Sequence, residues 1–351
     1  MAEVSSGSAP YIYVSTRMRV RKSKLIAKEE YARMLNMGLP EFTRVVEEME
    51  YKREIDELSS SFSGVDLIEN AVSWNLAKEY QKIITLAPGE MKGFTRDYLH
   101  KWDIQNILTI LRGKQLGFSD GKIKAVLVPA GALNAAALDR LLSETSIERI
   151  VEMLPIKKIA DIISEKLSAA LEKRSFGEIE NDLYKYYYAT LIRAAHGGIK
   201  GATMFLKYVR FEIDIQNIIN LFRIRSQGTK GGDSHEVWVE GASFKPDELE
   251  RLTTVGLDEV VDSLKKKVKA PVLVEVLEEL RENKPIYAIE SALTVAQLGQ
   301  MDKMSKRSPF SISPLLVYLE RKKYEVSNLR ALARGKQAGI DAETLEKYLV
   351  M

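Results

Sequence analysis

Asp103-Ile104-Gln105-Asn106-Ile107 recurs unchanged as Asp214-Ile215-Gln216-Asn217-Ile218, 111 residues on. A further 111 residues on stands a conservative copy, Glu325-Val326-Ser327-Asn328-Leu329. Asn106, Asn217 and Asn328 are thus equally spaced, and six residues after each comes an arginine: Arg112, Arg223 and Arg334. The first and third copies end alike, in Arg112-Gly113-Lys114-Gln115-Leu116-Gly117 and Arg334-Gly335-Lys336-Gln337-Ala338-Gly339. Other motifs keep the register. Ile68-Glu69-Asn70 returns after 111 residues as Ile179-Glu180-Asn181 and, after a further 110, as Ile289-Glu290-Ser291, and Leu138-Asp139-Arg140-Leu141 returns after 111 as Leu249-Glu250-Arg251-Leu252. A period this long is domain-sized, well above the ~20–50 residues of solenoid repeats. The chain reads as three copies of one unit, with joints just after each arginine tail: residues 1–118, 119–229 and 230–351.

The repeated motif is helical. Ile104, Ile107, Leu108 and Leu111 follow the i, i+3, i+4, i+7 spacing of one helix face, and Ile215, Ile218, Ile219 and Phe222 repeat it. Further amphipathic stretches run over 42–58, 147–154, 159–171, 183–194, 272–280 and 344–350, and prolines stand where such helices start or stop. Pro246-Asp247-Glu248 suits a helix first turn. Glycine-rich loops fall at 197–201 and 228–232. Strand-like alternation is confined to Val126-Leu127-Val128 and Val237-Trp238-Val239. The expected fold is all-α, with five or six helices per unit.

Asp103 and Asn106, three apart, share a helix face beside the apolar stripe, as do Asp214 and Asn217, and Glu325 and Asn328. Polar groups at the edge of a core need partners, because an unsatisfied buried one costs about 1–3 kcal/mol. The pairs are therefore expected to tie neighbouring helices within each unit, a structural role that all three copies share.

Composition sets the class. The 351 residues are 45% apolar and 29% charged, with 52 basic and 49 acidic side chains, values of an ordinary globular protein. The basic runs Lys265-Lys266-Lys267-Val268-Lys269 and Arg321-Lys322-Lys323 read as solvated helix faces. No cysteine is present, which excludes disulfides and thiolate metal sites and fits an intracellular chain. No stretch reaches the ~18 apolar residues of a membrane span, and the first eight residues, without the apolar core of a signal peptide, are expected to fray.

Catalytic signatures are missing. His100, His196 and His235 are far apart and form no metal-ligand pattern. Gly117-Phe118-Ser119-Asp120-Gly121-Lys122 is one residue short of a phosphate loop and lacks the following Ser or Thr. It reads better as a helix stop followed by an N-cap at Ser119 or Asp120. No catalytic, cofactor or metal residue is expected.

Tyr98-Leu99-His100-Lys101-Trp102-Asp103-Ile104-Gln105-Asn106-Ile107, with Arg112-Gly113-Lys114, resembles the hallmark segment of the C subunit of archaeal (A-type) rotary ATP synthases, the counterpart of the d subunit of the vacuolar-type ATPase. The opening Tyr11-Ile12-Tyr13-Val14 with Arg17-Met18-Arg19, and the turn Val128-Pro129-Ala130-Gly131, are similar to that family too. The resemblance spans the whole chain. The second copy departs most, with Ile224-Arg225 where the first has Gly113-Lys114, so its helix end is expected to be built differently. The resemblance implies three helical domains about a pseudo-threefold axis, forming a funnel with a central cavity. It implies a non-catalytic, single-copy rotor subunit at the cytoplasmic face of the membrane, carrying torque between the membrane rotor ring (proteolipid subunits) and the central shaft subunits. The competing class is a helical scaffold that binds RNA or acidic proteins through the Arg-Gly-Lys ends. Near-neutral charge and the lack of aromatic-basic interleaving count against it.

Overall fold

A computed structural model describes residues 9–196, 201–227, 237–282 and 284–351. The first eight residues, His235 and nearly all of the two glycine-rich loops lie outside the described residues. Every regular element described is helical.

Six long helices frame the molecule: α5 (Gly64–Leu86), α6 (Gly89–Gln115), α11 (Gly177–Ala195), α12 (Ala202–Gln227), α16 (Ile286–Arg307) and α17 (Ser313–Gln337). They alternate by copy. The Ile-Glu-Asn motif lies on α5, α11 and α16, and the Asp-x-x-Asn motif on α6, α12 and α17. Packing runs from α5 to α6, α11, α12, α16 and α17, and from α17 back to α5, a closed circuit. The helices are long because their buried faces are long. α6 buries Met91, Phe94, Tyr98, Ile104, Ile107 and Leu111, and α12 buries Phe205, Ile213, Ile218 and Phe222.

Shorter helices pack outside this frame: α2 (Lys28–Leu35), α3 (Leu39–Glu47) and α4 (Lys52–Leu58) before α5; α8 (Ala135–Ser143), α9 (Ile147–Glu152) and α10 (Lys157–Glu172) before α11; α13 (Pro246–Leu252), α14 (Leu257–Lys267) and α15 (Pro271–Glu279) before α16. The stretch 42–58, expected as one amphipathic helix, is broken between α3 and α4. The apolar face that begins with Phe42 and Val46 has to turn to bring Tyr51 and Ile55 into the same core. At the other end, α18 (Ala342–Glu346) stops short of the expected 350, because the backbone of Val350 is held by Asn328.

The tails explain their glycines. Gly117 (φ 70°) and Gly339 (φ 68°) adopt the left-handed conformation that ends a helix. The following amides reach back, Phe118 N–H to the Gly113 carbonyl and Ile340 N–H to that of Gly335, both at 2.9 Å. Ser119 then caps α7 (Asp120–Lys124), accepting from the Lys122 amide. Gly113 and Gly335 serve packing: a Cβ there would overlap Ile123 on α7 and Leu345 on α18. In the second copy, where Ile224-Arg225 stands, the helix end does differ. Arg225 donates to the carbonyls of Leu252, Thr253 and Val255 at 2.8–3.0 Å, closing the C-terminus of α13.

The first helix, α1 (Ala9–Lys22), lies along α17 and bolts the closure. Arg21 pairs with Glu79 on α5, Lys22 with Asp302 on α16, and Arg19 donates to the Pro309 carbonyl ahead of α17.

Gly131 sits against Asp103, so close that a Cβ would overlap the carboxylate. That carboxylate accepts from the amides of Ala132 (2.9 Å) and Leu133 (2.8 Å). Gly131→Ala must displace it and lose charge-assisted bonds, a cost of about 1–3 kcal/mol. Chemical denaturation should show a lower midpoint with an unchanged slope.

Candidate functional site

Each repeated asparagine is paired through both its amide nitrogen and its carbonyl oxygen. Asn106 donates to the carbonyl of Val128 (2.7 Å) and accepts from its amide (2.9 Å). Asn217 does the same with Val239 (2.8 and 3.0 Å), and Asn328 with Val350 (2.8 and 2.9 Å). In every copy the partner lies 22 residues on. Neither strand-like stretch is a strand among the described residues. The side-chain amide supplies the donor and acceptor that a neighbouring strand would give, and extended backbone can be buried with its polar groups satisfied. The partners are therefore loop backbone rather than a neighbouring helix, and in the first two copies the contact crosses residues 118 and 229.

The acids beside them grip the same loops. Asp214 accepts from the amide (2.9 Å) and hydroxyl (2.7 Å) of Ser243, much as Asp103 holds residues 132 and 133. Burial pushes the Asp214 carboxyl up, against the pull of the Ser243 bonds. Asp103 also contacts His100 Nδ1 (2.8 Å), and this bond raises the imidazole above its ordinary value despite burial. The third copy differs. Glu325 turns instead to the start of the protein, accepting from the Ile26 amide and the Tyr51 hydroxyl, each at 2.6 Å. Lys322 adds a third bond at 2.8 Å. The longer glutamate side chain suits this more remote partner.

Two motifs that look unrelated in the sequence meet here. Arg112 pairs with Glu180 (2.5 Å) and Arg223 with Glu290 (2.5 Å), while Arg334 donates to Glu69 (2.9 Å). Each arginine thus reaches the Ile-Glu-Asn motif of the following copy, and the last reaches the first. Glu69 is buried, with Arg330 also nearby, whereas the other two pairs are half-exposed.

A buried cluster joins α6, α12 and α17 and was not anticipated. Tyr98 Oη lies 2.7 Å from Glu320 and 2.9 Å from Glu212, so its one proton serves two carboxylates. Lys101 pairs with Glu320 and lies 3.7 Å from Glu212, and Lys323 reaches Glu320 at 3.2 Å. Tyr188 adds a bond to Glu212 at 3.3 Å. In the 111-residue register, Lys101, Glu212 and Lys323 are equivalent, as are Tyr98, Val209 and Glu320. Identical charges at such a meeting point would repel, so the copies diverge to give two cations against two anions. Aligning the copies and looking for charge reversals would have found this cluster. Burial alone would raise the Glu320 carboxyl, but Lys101 and Lys323 outweigh it and hold the carboxyl well below the usual range. Burial likewise would lower Lys323, and Glu320 more than reverses this. The phenols of Tyr98, Tyr188 and Tyr208 are pushed up by burial and then by nearby carboxylates, so they remain donors.

This arrangement fastens and stiffens. No group of three or more His, Cys, Asp or Glu able to hold a metal occurs among the described residues, and His196 closes α11 with a bond to the Ile192 carbonyl. Among the same residues, no helix is long and apolar enough to cross a membrane.

Residues 14–348 match the family described as ATP synthase (C/AC39) subunit. The chain is 35% identical over 349 residues to the C subunit of the A-type ATP synthase of Methanosarcina barkeri, covering 99% of this chain and 94% of the relative. It is 35% identical over 352 residues to that of Methanococcoides burtonii (99% and 96%). For the counterpart in Haloferax volcanii the figures are 34% over 352 residues (99% and 99%).

Removing one member of the buried cluster strands the others. Glu320→Gln should cost about 3–5 kcal/mol at neutral pH. The folded Glu320 titrates below its unfolded value, so its contribution is complete above the ordinary glutamate pKa of about 4.3 and erodes as pH falls further. Thermal melts of wild type and Glu320→Gln, well separated at pH 7, should draw closer as the pH is lowered below about 4. Asn106→Leu, which orphans the Val128 amide and carbonyl, should cost about 1–3 kcal/mol, read by denaturant unfolding.

Proposed function

The chain belongs to the ATP synthase (C/AC39) subunit family, and on that premise we propose that it is the central-stalk rotor component that carries torque between the membrane rotor ring and the central shaft. A protein in that position needs no catalytic group. It must transmit a twisting load without its parts slipping past one another. We propose three helical domains, about 1–118, 119–229 and 230–351, around a pseudo-threefold axis as a funnel with a central cavity.

The observation that supports this reading best is the closed circuit of long helices, fastened at each junction by an arginine–glutamate pair. In an open row of three units, a load on the last would be borne only by its junction with the second. In a closed circuit, every junction shares it. The buried cluster on α6, α12 and α17 ties the units a second time. Symmetry mismatch gives such an adaptor its purpose. A membrane ring presents many identical copies and a shaft presents none, so a broad intermediate body spreads contacts that direct docking would concentrate on few ring subunits.

The RNA or acidic-protein scaffold depends on free Arg-Gly-Lys ends. Here Arg112, Arg223 and Arg334 are paired, Lys114 holds Asp120 (2.8 Å), and Lys336 donates to the carbonyls of Leu35 (2.9 Å) and Met37 (2.5 Å) at the end of α2. The basic ends are already paired with other groups of the same chain.

The test is reconstitution of the rotary complex with and without this chain, measuring ATP hydrolysis and ion uptake together. Without it, hydrolysis should persist and hydrolysis-driven uptake should fall to background. Uptake at full stoichiometry in its absence would refute the proposal. Raising the salt concentration should weaken attachment to the ring, because exposed charge pairs are screened.

A further inference from the structure

One turn before each clasping acid, on the same helix face, stands the residue that sets its counter-charge. In the 111-residue register these are His100, Phe211 and Lys322. In the third copy Lys322 is itself buried and binds Glu325 at 2.8 Å, so the acid that grips the Ile26 amide has a lasting cation beside it. In the second copy Phe211 offers no charge. Burial there pushes the Asp214 carboxyl up, against the Ser243 bonds and Lys267 on α14. The first copy stands between these two cases. His100 Nδ1 meets Asp103 at 2.8 Å, in the place that Lys322 fills in the third.

Asp103 is fully buried and grips the amides of Ala132 and Leu133, on the loop that leads into α8. A buried carboxylate is costly unless its charge is met. The imidazole can donate from Nδ1 in either protonation state, but only the imidazolium brings a positive charge. His100 is half-buried, so its ring still meets solvent and can exchange its proton. On α6, Asp97 favours the imidazolium and Arg96 opposes it. The loop turns backbone amides to the pair, and α5 brings the neutral Gln81 to the Gly131 carbonyl (3.1 Å). α11 faces this stretch with Tyr184 and Tyr187. The carboxylates of α12 and α17, Glu212 and Glu320, are taken up by Tyr98 and Lys101.

We propose that His100 is a pH-dependent counter-charge, which tightens the clasp between α6 and the loop entering α8 on the acid side of neutrality and slackens it on the alkaline side. The inference rests on the clasp alone and goes beyond the rotor reading. The bond to Asp103 raises the folded imidazole above its ordinary value of about 6.5. Its contribution is therefore complete below that ordinary value and is lost as the pH rises through the higher, folded one. A lysine keeps its charge through the same range, and a phenylalanine has none to lose. Only the first of the three clasps is thus tuned by pH near neutrality.

The experiment installs the other copies' residues in the first. Hydrogen exchange of the Ala132 and Leu133 amides in the full chain, corrected for the intrinsic rate at each pH, reads how often the clasp opens. From about pH 6 to about pH 9 the opening constant of the wild type should rise about threefold or more. His100→Lys, copying the third copy, should keep it low and flat. His100→Phe, copying the second, should keep it high and flat, and it serves the test even where lysine is poorly accommodated. The His100 ring, followed by NMR in the wild type, should titrate with a midpoint above about 6.5. A wild-type opening constant that stays level over this range would overturn the proposal. So would a rise that survives in either variant, because the titrating group would then lie elsewhere. A ring midpoint at or below about 6.5 would overturn it independently of any variant.

Discussion

An arginine six residues beyond each repeated asparagine reaches a glutamate on the first long helix of the following copy, and the last of these arginines reaches the first of these glutamates. Closure is the constraint on which the rest depends. A three-part body that closes on itself has no free end, so each copy must present one face to its predecessor and another to its successor. That is why the arginine and the glutamate recur in all three copies although each sits on a different helix. The exposed pairs at Glu180 and Glu290 contribute little individually in water. Their value is geometric, since they set the register at which α6 meets α11 and α12 meets α16. At the Glu69 junction, where the circuit closes, the carboxylate is buried and Arg330 stands beside Arg334.

Closure brings a second problem to the middle. Equivalent positions on α6, α12 and α17 meet there, and a repeat that kept its charges would bring like charges together. The protein resolves this by divergence: lysine, glutamate and lysine at one level; tyrosine, valine and glutamate at another. The result pairs two cations with two anions, with the phenols held as donors by burial. A half-satisfied polar cluster would be worse than an apolar one, so the cluster specifies register as well as binding the helices.

Closure also brings together segments far apart in the sequence. The asparagine clasp needs a loop 22 residues on, and in the third copy Val350 meets that need. The acid of the third copy, Glu325, instead holds backbone from far back in the sequence. Ile26, at the start of the protein, takes that part. One clasp of the repeat therefore spans 299 residues of sequence, and α1 reinforces the seam through Glu79 and Asp302.

The sequence by itself determined the repeat, its 111-residue register, the all-helical fold, the glycine stops at 117 and 339 and the absence of a catalytic motif. These rest on local physics: helix periodicity, capping chemistry and the spacing of motifs along one chain. The register also exposed the altered end of the second copy, at Ile224-Arg225. Only the tertiary structure decided which motifs meet. Arg112 and Glu180 lie 68 residues apart, and Arg334 and Glu69 lie 265 apart, separations at which no local rule operates. Lys101, Glu212 and Lys323 look like drift between copies until the helices bring them to one place. The clasping asparagines were legible as buried polar groups in want of partners, yet their partners, loop backbone in place of helices, follow from how the copies pack.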